Sequence, residues 1–318
     1  FHPILKQTLW GGERIIPYKE LASGLSRVGE SWELSGMPGS ESVVAEGPWA
    51  GSTLSELIGR FGAELLGKAN YARFGQEFPL LVKFIDARED LSIQVHPDDE
   101  LARKRHGKSG KCEMWYVLEA EPGASLLTGF SRPIAPAEYE RRVADNTLTD
   151  VLNRQAIASG DVFYLPAGRV HSIGKGSFIV EIQQSSDITY RIYDFDRRDA
   201  AGNSRELHTE LAREAIDFES SENSRITYAP ENNQEVRLVT TPYFTTSLYT
   251  LTARTRCDWS ATDSFVAIVL LQGSGSLTDN EGNRIDVRQG ETWLLPASTQ
   301  WTEITPHTAP LRLLTSRI

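Results

Sequence analysis

The sequence contains little cysteine. Cys112 and Cys257 are the two cysteines among 318 residues, and they lie far apart. They do not form a disulfide framework, because folds stapled by disulfides carry several closely spaced pairs. Such sparse use of cysteine is typical of a reducing compartment, so the sequence predicts a soluble cytoplasmic protein.

Long hydrophobic runs and an excess of positive charge are also missing. No stretch approaches the roughly 18 apolar residues of a membrane span, and residues 1–6 lack a signal-peptide pattern. The 33 basic and 43 acidic residues give a net charge of -10. An acidic surface repels nucleic acid and anionic membranes, so we expect neither as a partner. An anionic substrate would need a local cluster of Lys and Arg. The oligomeric state stays open.

Helical patterns are few in a chain of ordinary globular composition, with 40% hydrophobic and 24% charged residues. Apolar residues spaced three and four apart predict helices over residues 52–67, 136–153 and 205–218. The other apolar segments are short β-rich runs between Gly, Pro, Asn and Asp: residues 80–85, 91–95, 114–118, 162–165, 178–183, 264–271 and 292–295. This pattern predicts a mainly β fold, as a sandwich or barrel.

An internal repeat organises the chain. Residues 160–171 and 290–301 each read as glycine, five residues, proline, one residue, a small residue, two residues and a large side chain. Two copies predict two similar β units, and the polar stretch 220–235 is the natural seam between them. We therefore expect domains at 1–225 and 226–318. The first copy ends in His171 and the second in Trp301, so a metal at this position is possible only in the first domain.

Polar side chains alternate with apolar ones over residues 91–97. In a strand, Ser92, Gln94 and His96 share one face. An amide and an imidazole two residues apart can reach the same ion, although a strand with its polar side in water has the same pattern. Lys111 and Glu113 share a face of the next strand, a pair that also occurs at solvated edges.

The segment 160–171 resembles the second conserved motif of the cupin superfamily, and the strands carrying His96 and Glu113 resemble the first. Gln94 stands where many cupins have a histidine. The resemblance implies two jelly-roll (cupin) β-barrels, with a few helices inserted around the first and a divalent metal inside it. The implied ligands are Gln94, His96, Glu113 and His171. Two imidazoles, a carboxylate and an amide oxygen suit Zn²⁺, or Fe, Mn or Co.

A narrower resemblance is to the type I phosphomannose isomerases, in their short bacterial form. It covers about two-thirds of the chain and rests on five motifs: Trp10-Gly11-Gly12, Gly29-Glu30-Ser31-Trp32-Glu33, the strand at 92–97, the strand at 111–117, and Gln183-Gln184-Ser185-Ser186-Asp187 with Arg191. The resemblance implies one zinc per chain on the four ligands above. It also implies a metal-dependent isomerase that interconverts mannose 6-phosphate and fructose 6-phosphate.

This reaction moves a proton between C1 and C2 through an enediolate, whose negative charge needs a cation beside it. The family's active-site arginine falls on Arg191, for which an ion pair with Asp194 or Asp196 is the alternative. Glu181 matches a glutamate proposed as the base in the family. Its alternative role is to support Arg191 or a metal ligand. Lys111 is a further expected catalytic group.

The substrate phosphate needs donors, and Lys83 and Ser92 are the expected ones. Lys83 interrupts an apolar run, where an unpaired charge is costly, so it meets either phosphate or a carboxylate such as Glu113. His106 is expected in a basic surface loop. Two positions depart from longer family members, which often have a histidine at the position of Gly110 and an aromatic residue at that of Ile173.

Two other functions compete with the isomerase. One is another metal-dependent cupin enzyme, such as a dioxygenase or a different sugar-phosphate isomerase. The other is a non-catalytic sugar-binding cupin that acts as a regulator. A regulator would be expected to carry a helix-turn-helix or a basic patch for DNA, and the sequence has neither pattern.

Overall fold

The computed structural model describes residues 1–219 and 223–318. Its strands form four antiparallel sheets, as two facing pairs that follow one another along the chain. The mainly β fold expected from the short apolar runs is confirmed. The first three residues of the predicted seam, 220–222, lie outside the described residues.

The N-terminal pair of sheets uses strands β1 to β13. The strands are β1 Ile4–Gly12, β2 Val28–Met37, β3 Ser40–Glu41, β4 Leu80–Ala87, β5 Ile93–Val95, β6 Glu113–Ala120, β7 Ser125–Phe130, β8 Leu152–Ala156, β9 Val162–Leu165, β10 His171–Ile173, β11 Ser177–Gln184, β12 Tyr190–Tyr193 and β13 Arg225–Ile226. One sheet has the order β13-β9-β6-β11-β4-β1-β2-β3, and the sheet facing it has the order β12-β5-β10-β7-β8.

The C-terminal pair of sheets uses strands β14 to β22. The strands are β14 Val236–Thr240, β15 Thr245–Leu251, β16 Thr255–Asp258, β17 Val266–Gln272, β18 Ser274–Asp279, β19 Arg284–Arg288, β20 Thr292–Leu295, β21 Trp301–Pro306 and β22 Leu311–Arg317. The sheet orders are β14-β15-β22-β17-β20 and β16-β21-β18-β19. In both copies of the repeat, a short strand follows the glycine and the last residue, His171 or Trp301, begins the next strand.

All α-helices of the described residues lie in the N-terminal part of the chain. They are α1 Ile15–Tyr18, α2 Leu54–Phe61, α3 Ala63–Leu66, α4 Lys68–Phe74, α5 Asp99–His106, α6 Pro136–Ala144 and α7 Thr209–Ala215, with a 3-10 turn at Leu148–Val151. None is long and apolar enough to cross a membrane.

Three predicted helices exist with different ends. The first is divided between α2 and α3 at Gly62, whose positive φ of 49° breaks the helix. The second ends at Ala144 because Asn146 takes a left-handed conformation, and residues from Leu152 onward pair in a sheet. The third, α7, begins only at Thr209, because the preceding segment binds the edge of β12.

The prediction of a basic loop around His106 was wrong, because this segment is helix α5. The Asp98 side chain accepts a hydrogen bond from the Leu101 N–H, and Gly107 ends the helix in a left-handed conformation. Acidic residues in the first turn and basic residues in the last complement the helix dipole. These caps and charges stabilise helix α5 although it has no apolar stripe.

A shared hydrophobic core joins the two pairs of sheets. Leu54 and Ile58 of α2 lie in one buried cluster with residues of the C-terminal sheets, and the Phe78 and Phe265 rings lie 4.8 Å apart. The Asp263 carboxylate accepts hydrogen bonds from two backbone N–H groups at the start of α4. The helices between β3 and β4 therefore fasten the C-terminal sheets to the N-terminal ones.

Candidate metal centre and its cavity

Two imidazoles and one carboxylate meet between the N-terminal sheets. The potential ligand atoms of His96, Glu113 and His171 all lie within 4.8 Å of one another. His171 Nε2 is 3.1 Å from Glu113 Oε1, and His96 Nε2 is 3.6 Å from Glu113 Oε2. All three side chains are buried. Three segments that are distant in sequence thus bring nitrogen and oxygen donors to a single point.

Backbone carbonyls hold both rings in the same tautomer. His96 Nδ1 lies 2.7 Å from the Ile188 carbonyl oxygen, and His171 Nδ1 lies 2.8 Å from that of Arg169. A carbonyl only accepts, so each Nδ1 carries the proton and each Nε2 turns a lone pair toward Glu113. This arrangement is typical of histidines that bind metal through Nε2.

The Glu113 carboxylate supports the fit of a cation. Both of its oxygens are buried, and neither has a partner in good hydrogen-bond geometry among the residues that the structure describes. The nearest positive group is Lys111, whose Nζ lies 2.9 Å from Glu113 Oε2 and 3.1 Å from His96 Nε2. A buried anion with unused lone pairs beside two imidazole lone pairs fits a divalent metal.

The pKa values of the cluster favour the forms that bind metal. Burial, reinforced by the charge of Lys111, holds the pKa of His96 well below its usual range. Burial acts to raise the pKa of Glu113, but Lys111 and the two imidazoles hold it well below its usual range. Neutral His96 and ionised Glu113 are therefore the stable forms near neutral pH.

Gln94 stands beside this cluster through strand register. It pairs with His171 of β10 on one side and with Arg191 of β12 on the other. Its Nε2 lies 3.3 Å from His171 Nε2, and its Oε1 accepts a 3.4 Å hydrogen bond from Ser92. The amide thus faces the cluster with its nitrogen, and turning it over would present the oxygen instead.

A cavity of about 170 Å³ adjoins the cluster. Six of the predicted site residues line it: Lys83, Ser92, Gln94, Lys111, Glu181 and Arg191. Ile173 also lines it, so an aliphatic side chain forms the wall where longer family members have an aromatic one. Lys111 lines the cavity and its Nζ lies 2.9 Å from Glu113 of the cluster, which makes cavity and cluster parts of one site.

The opposite sheet contributes a buried ion pair. Glu181 of β11 pairs in register with Lys83 of β4 and with Trp115 of β6. Lys83 Nζ donates to Glu181 Oε1 at 3.0 Å, and Trp115 Nε1 donates to Glu181 Oε2 at 3.0 Å. Burial acts to lower the pKa of Lys83, but Glu181 and Glu30 raise it above its usual value. Lys83 therefore meets carboxylates, yet these are Glu181 and Glu30 rather than Glu113.

Arg191 is the cation of the cavity lining that makes no ion pair within the described residues. Its Nη1 donates to the Glu206 carbonyl at 2.9 Å, and its Nε is buried with no hydrogen-bond partner in the described part of the chain. The alternative ion pair with Asp194 does not form, because Asp194 binds Arg197 and Arg205 instead. Burial and the charge of Arg205 lower the pKa of Arg191 from its usual value.

Some residues at the site had no predicted role. Glu30 lies 3.9 Å from Lys83, and Thr8, Trp10, Thr189 and Arg205 also line the cavity. The Trp115 ring packs edge-on against His171 at 5.4 Å and so joins the cluster to Glu181. Glu30, Trp10 and Trp115 lie within the family motifs described above, so the sequence already indicated that they belong to the site. Nothing in the sequence distinguishes Thr8 or Thr189.

Gly110 has a structural reason for being small. A Cβ atom there would lie 2.4 Å from the Asp98 carbonyl carbon and 2.5 Å from the Asp99 nitrogen. These are backbone atoms at the start of α5, so they cannot move aside cheaply. The backbone path of this chain excludes the histidine of longer family members at this position.

Two facing antiparallel sheets around a buried His–Glu–His cluster define a protein of the cupin class with a site that can hold a divalent metal. Residues 3–127 match the family model described as phosphomannose isomerase type I, catalytic domain. The chain is 34% identical over 298 residues to a Bacillus subtilis protein named probable mannose-6-phosphate isomerase GmuF, covering 93% of this chain and 92% of that protein.

Other relatives agree. The mannose-6-phosphate isomerase of Streptococcus mutans is 34% identical over 295 residues, 92% of this chain and 90% of that protein. The crystal structure of the mannose 6-phosphate isomerase from Bacillus subtilis aligns with a TM-score of 0.89 and 30% identity, covering 100% of this chain and 98% of that one. This chain belongs to the type I phosphomannose isomerase family. The resemblance found in its motifs is confirmed.

Proposed function

We propose that this protein is a metal-dependent isomerase that interconverts mannose 6-phosphate and fructose 6-phosphate. The observation that carries the proposal is the buried cluster of His96, Glu113 and His171 beside a cation-lined cavity, in a chain of this family. Moving a proton between C1 and C2 requires a base, and it requires positive charge at the two oxygens that share the enediolate charge.

His96, Glu113 and His171 are the proposed ligands of one Zn²⁺, with Gln94 as the fourth through its amide oxygen. Nitrogen and oxygen donors in this number match zinc, and one formal negative charge among them leaves the ion electrophilic. When bound, zinc supplies a Lewis acid for the substrate's carbonyl and hydroxyl oxygens.

Glu181 is the proposed base. Each carboxylate oxygen has two lone-pair positions, and Lys83 and Trp115 use one on each oxygen. The remaining positions are open to a substrate proton, and the two donors fix the orientation of the carboxylate. Burial at 3% exposure keeps water from competing for it.

Arg191 is proposed to stabilise the developing enediolate. Its guanidinium lines the cavity without a carboxylate to neutralise it, so its charge is available to an anion. Lys111 is the second proposed catalytic cation. Its ammonium lies at the boundary between cluster and cavity, where it can donate to a substrate oxygen.

Lys83 and Ser92 are the proposed phosphate ligands. The Lys83 ammonium has three donors, of which Glu181 accepts one within hydrogen-bond distance, so a donor remains for a phosphate oxygen. The Ser92 hydroxyl lines the same cavity. An acidic protein binds an anion only where cations are grouped, and this cavity is such a place.

The remaining sequence-based expectations stand as proposals. The boundary between residues 225 and 226 separates the metal-binding domain from a second, degenerate cupin domain. The supporting observation is that the cluster of His96, Glu113 and His171 lies wholly in the first domain. A cytoplasmic location and the lack of nucleic-acid partners rest on the sparse cysteine and the net charge of -10.

A coupled assay of mannose 6-phosphate turnover tests the function. Dialysis against a chelator is expected to remove activity, and stoichiometric Zn²⁺ is expected to restore it, whereas Mg²⁺ serves as the control ion because it prefers six oxygen ligands. Glucose 6-phosphate serves as the control substrate. Full turnover in protein shown to be metal-free, or none in the zinc-loaded protein, would contradict the proposal.

A further inference from the structure

Strand β12, which carries Arg191, is the edge strand of its sheet. On one side β12 pairs with β5, and in this pairing Arg191 lies opposite Gln94. No strand of the described residues pairs with the outer edge, so the backbone N–H and C=O of Arg191 need another partner. The segment before α7, residues 206–208, provides it.

Three hydrogen bonds join this segment to Arg191. The His208 backbone N–H donates to the Arg191 carbonyl at 2.7 Å, and the Arg191 backbone N–H donates to His208 Nδ1 at 3.2 Å. The Arg191 side chain donates to the Glu206 carbonyl at 2.9 Å. The His208 backbone thus satisfies the Arg191 carbonyl, and the His208 imidazole accepts the hydrogen bond from the Arg191 N–H that a neighbouring strand would otherwise accept.

Helix α7 holds the segment in place. The His208 carbonyl accepts the Ala212 N–H at 2.8 Å, and Ala212 is fully buried. Tyr139, itself 1% exposed, donates its hydroxyl to the Thr209 carbonyl at 2.9 Å. His208 thus lies at the start of a helix that is anchored through Ala212 and Tyr139, and this anchoring holds its position relative to Arg191.

We propose that His208 is a positioning residue for Arg191: through its Nδ1 it fixes the backbone of β12, so that the guanidinium points into the cavity. The inference rests on the proposed function, in which Arg191 meets the substrate. His208 itself does not line the cavity. Its effect on turnover must therefore pass through Arg191.

Two variants of similar shape separate the hydrogen bond from side-chain volume. In His208→Asn, Oδ1 takes the position of Nδ1 and accepts the same N–H, whereas His208→Leu has no acceptor. We expect kcat for mannose 6-phosphate to fall about tenfold or more in His208→Leu, since small displacements of catalytic groups are costly. His208→Asn is expected to stay within about threefold of the wild-type rate, with zinc content unchanged in both. Equal loss in both variants overturns the proposal.

A double-mutant cycle tests whether the effect passes through Arg191. In an Arg191→Ala background, His208→Leu is expected to change the residual kcat less than about twofold, because the group it positions is already gone. A general structural role would instead give the same fold loss in both backgrounds. That result contradicts the proposal.

Amide hydrogen exchange gives a readout that does not depend on activity. The Arg191 N–H is expected to exchange faster in His208→Leu than in the wild type, and to stay protected in His208→Asn. Unchanged protection in His208→Leu overturns the proposal whether or not the wild type isomerises mannose 6-phosphate. Lack of wild-type turnover with the expected exchange pattern contradicts the catalytic function alone.

Discussion

Single side chains at the metal centre have separable tasks. His171 and His96 present Nε2 because backbone carbonyls hold their Nδ1 protons, whereas Arg191 lines the cavity and donates to the Glu206 carbonyl. Removing a ring and removing the guanidinium should therefore give different defects, although both lower turnover.

The first prediction compares His171→Ala with Arg191→Ala. His171→Ala removes one of the two imidazole donors, so we expect zinc content after dialysis to fall from about one per chain to near zero. Arg191→Ala is expected to keep its zinc and to lose about 10²- to 10³-fold in kcat, the usual effect of removing one group that stabilises an oxyanion. Metal analysis measures the zinc content of both variants, and the coupled assay measures their kcat. An Arg191→Ala enzyme at full rate removes this residue from the mechanism.

The second prediction concerns Glu181. Glu181→Gln keeps the shape and the bond from Lys83 but cannot take a proton, so kcat is expected to fall by about 10²- to 10⁴-fold with zinc retained. Glu30→Gln is the matched control, because it neutralises the other carboxylate near Lys83. We expect it to cost less than about tenfold. Equal losses would mean that Glu181 acts only by compensating the charge of Lys83.

At the scale of elements, strand register assembles the site in two rows. Arg191, Gln94 and His171 stand side by side on β12, β5 and β10. Lys83, Glu181 and Trp115 do the same on β4, β11 and β6 of the facing sheet. The register between neighbouring strands thus brings side chains from six segments together at the site.

Only the features of the site that local sequence patterns encode could be predicted from the sequence. Alternation over residues 91–97 indicates which side chains share a face, and family motifs indicate the donors of the cluster. The pairing of Lys83 with Glu181 was missed because it depends on the register between β4 and β11, which the sequence does not encode locally. Helix α5 was missed because its signals are caps and charges rather than an apolar stripe.

The third prediction concerns the loop that follows β12. Asp194 is 5% exposed and binds Arg197 and Arg205. Burial acts to raise the pKa of Asp194, but the hydrogen bonds of Arg205 and Arg197 hold it below the usual 3.8. A pKa that is lower in the folded protein adds stability above the unfolded value, and this stability is lost as pH falls through the folded value.

We therefore expect Asp194→Asn to lower the free energy of unfolding by about 1–2 kcal/mol at pH 7, and this difference to shrink as the pH falls below about 4. Denaturant titrations of both proteins at pH 7 and below pH 4 measure this difference in the free energy of unfolding. Asp196→Asn, the same change at a nearby exposed aspartate, is the control and should be nearly neutral. A difference that persists unchanged in acid would show that Asp194 does not act through its charge.

At the scale of the whole molecule, an acidic protein groups four cations around one cavity, namely Lys83, Lys111, Arg191 and Arg205. Carboxylates compensate Lys83, Lys111 and Arg205, which leaves Arg191 as the lining cation without an ion pair among the described residues. The C-terminal sheets support this arrangement from outside through the shared core. In the proposed function, turnover depends on one metal ion held where His96, Glu113 and His171 converge.

Anomalous diffraction at the zinc edge, from a crystal grown with excess Zn²⁺, tests this most directly. We expect one strong peak between the N-terminal sheets, about 2.0–2.2 Å from Nε2 of His96, Nε2 of His171 and a Glu113 oxygen. A crystal of His171→Ala under the same conditions should lose that peak. No peak between these three side chains in the wild type, or zinc bound only elsewhere, would contradict the account.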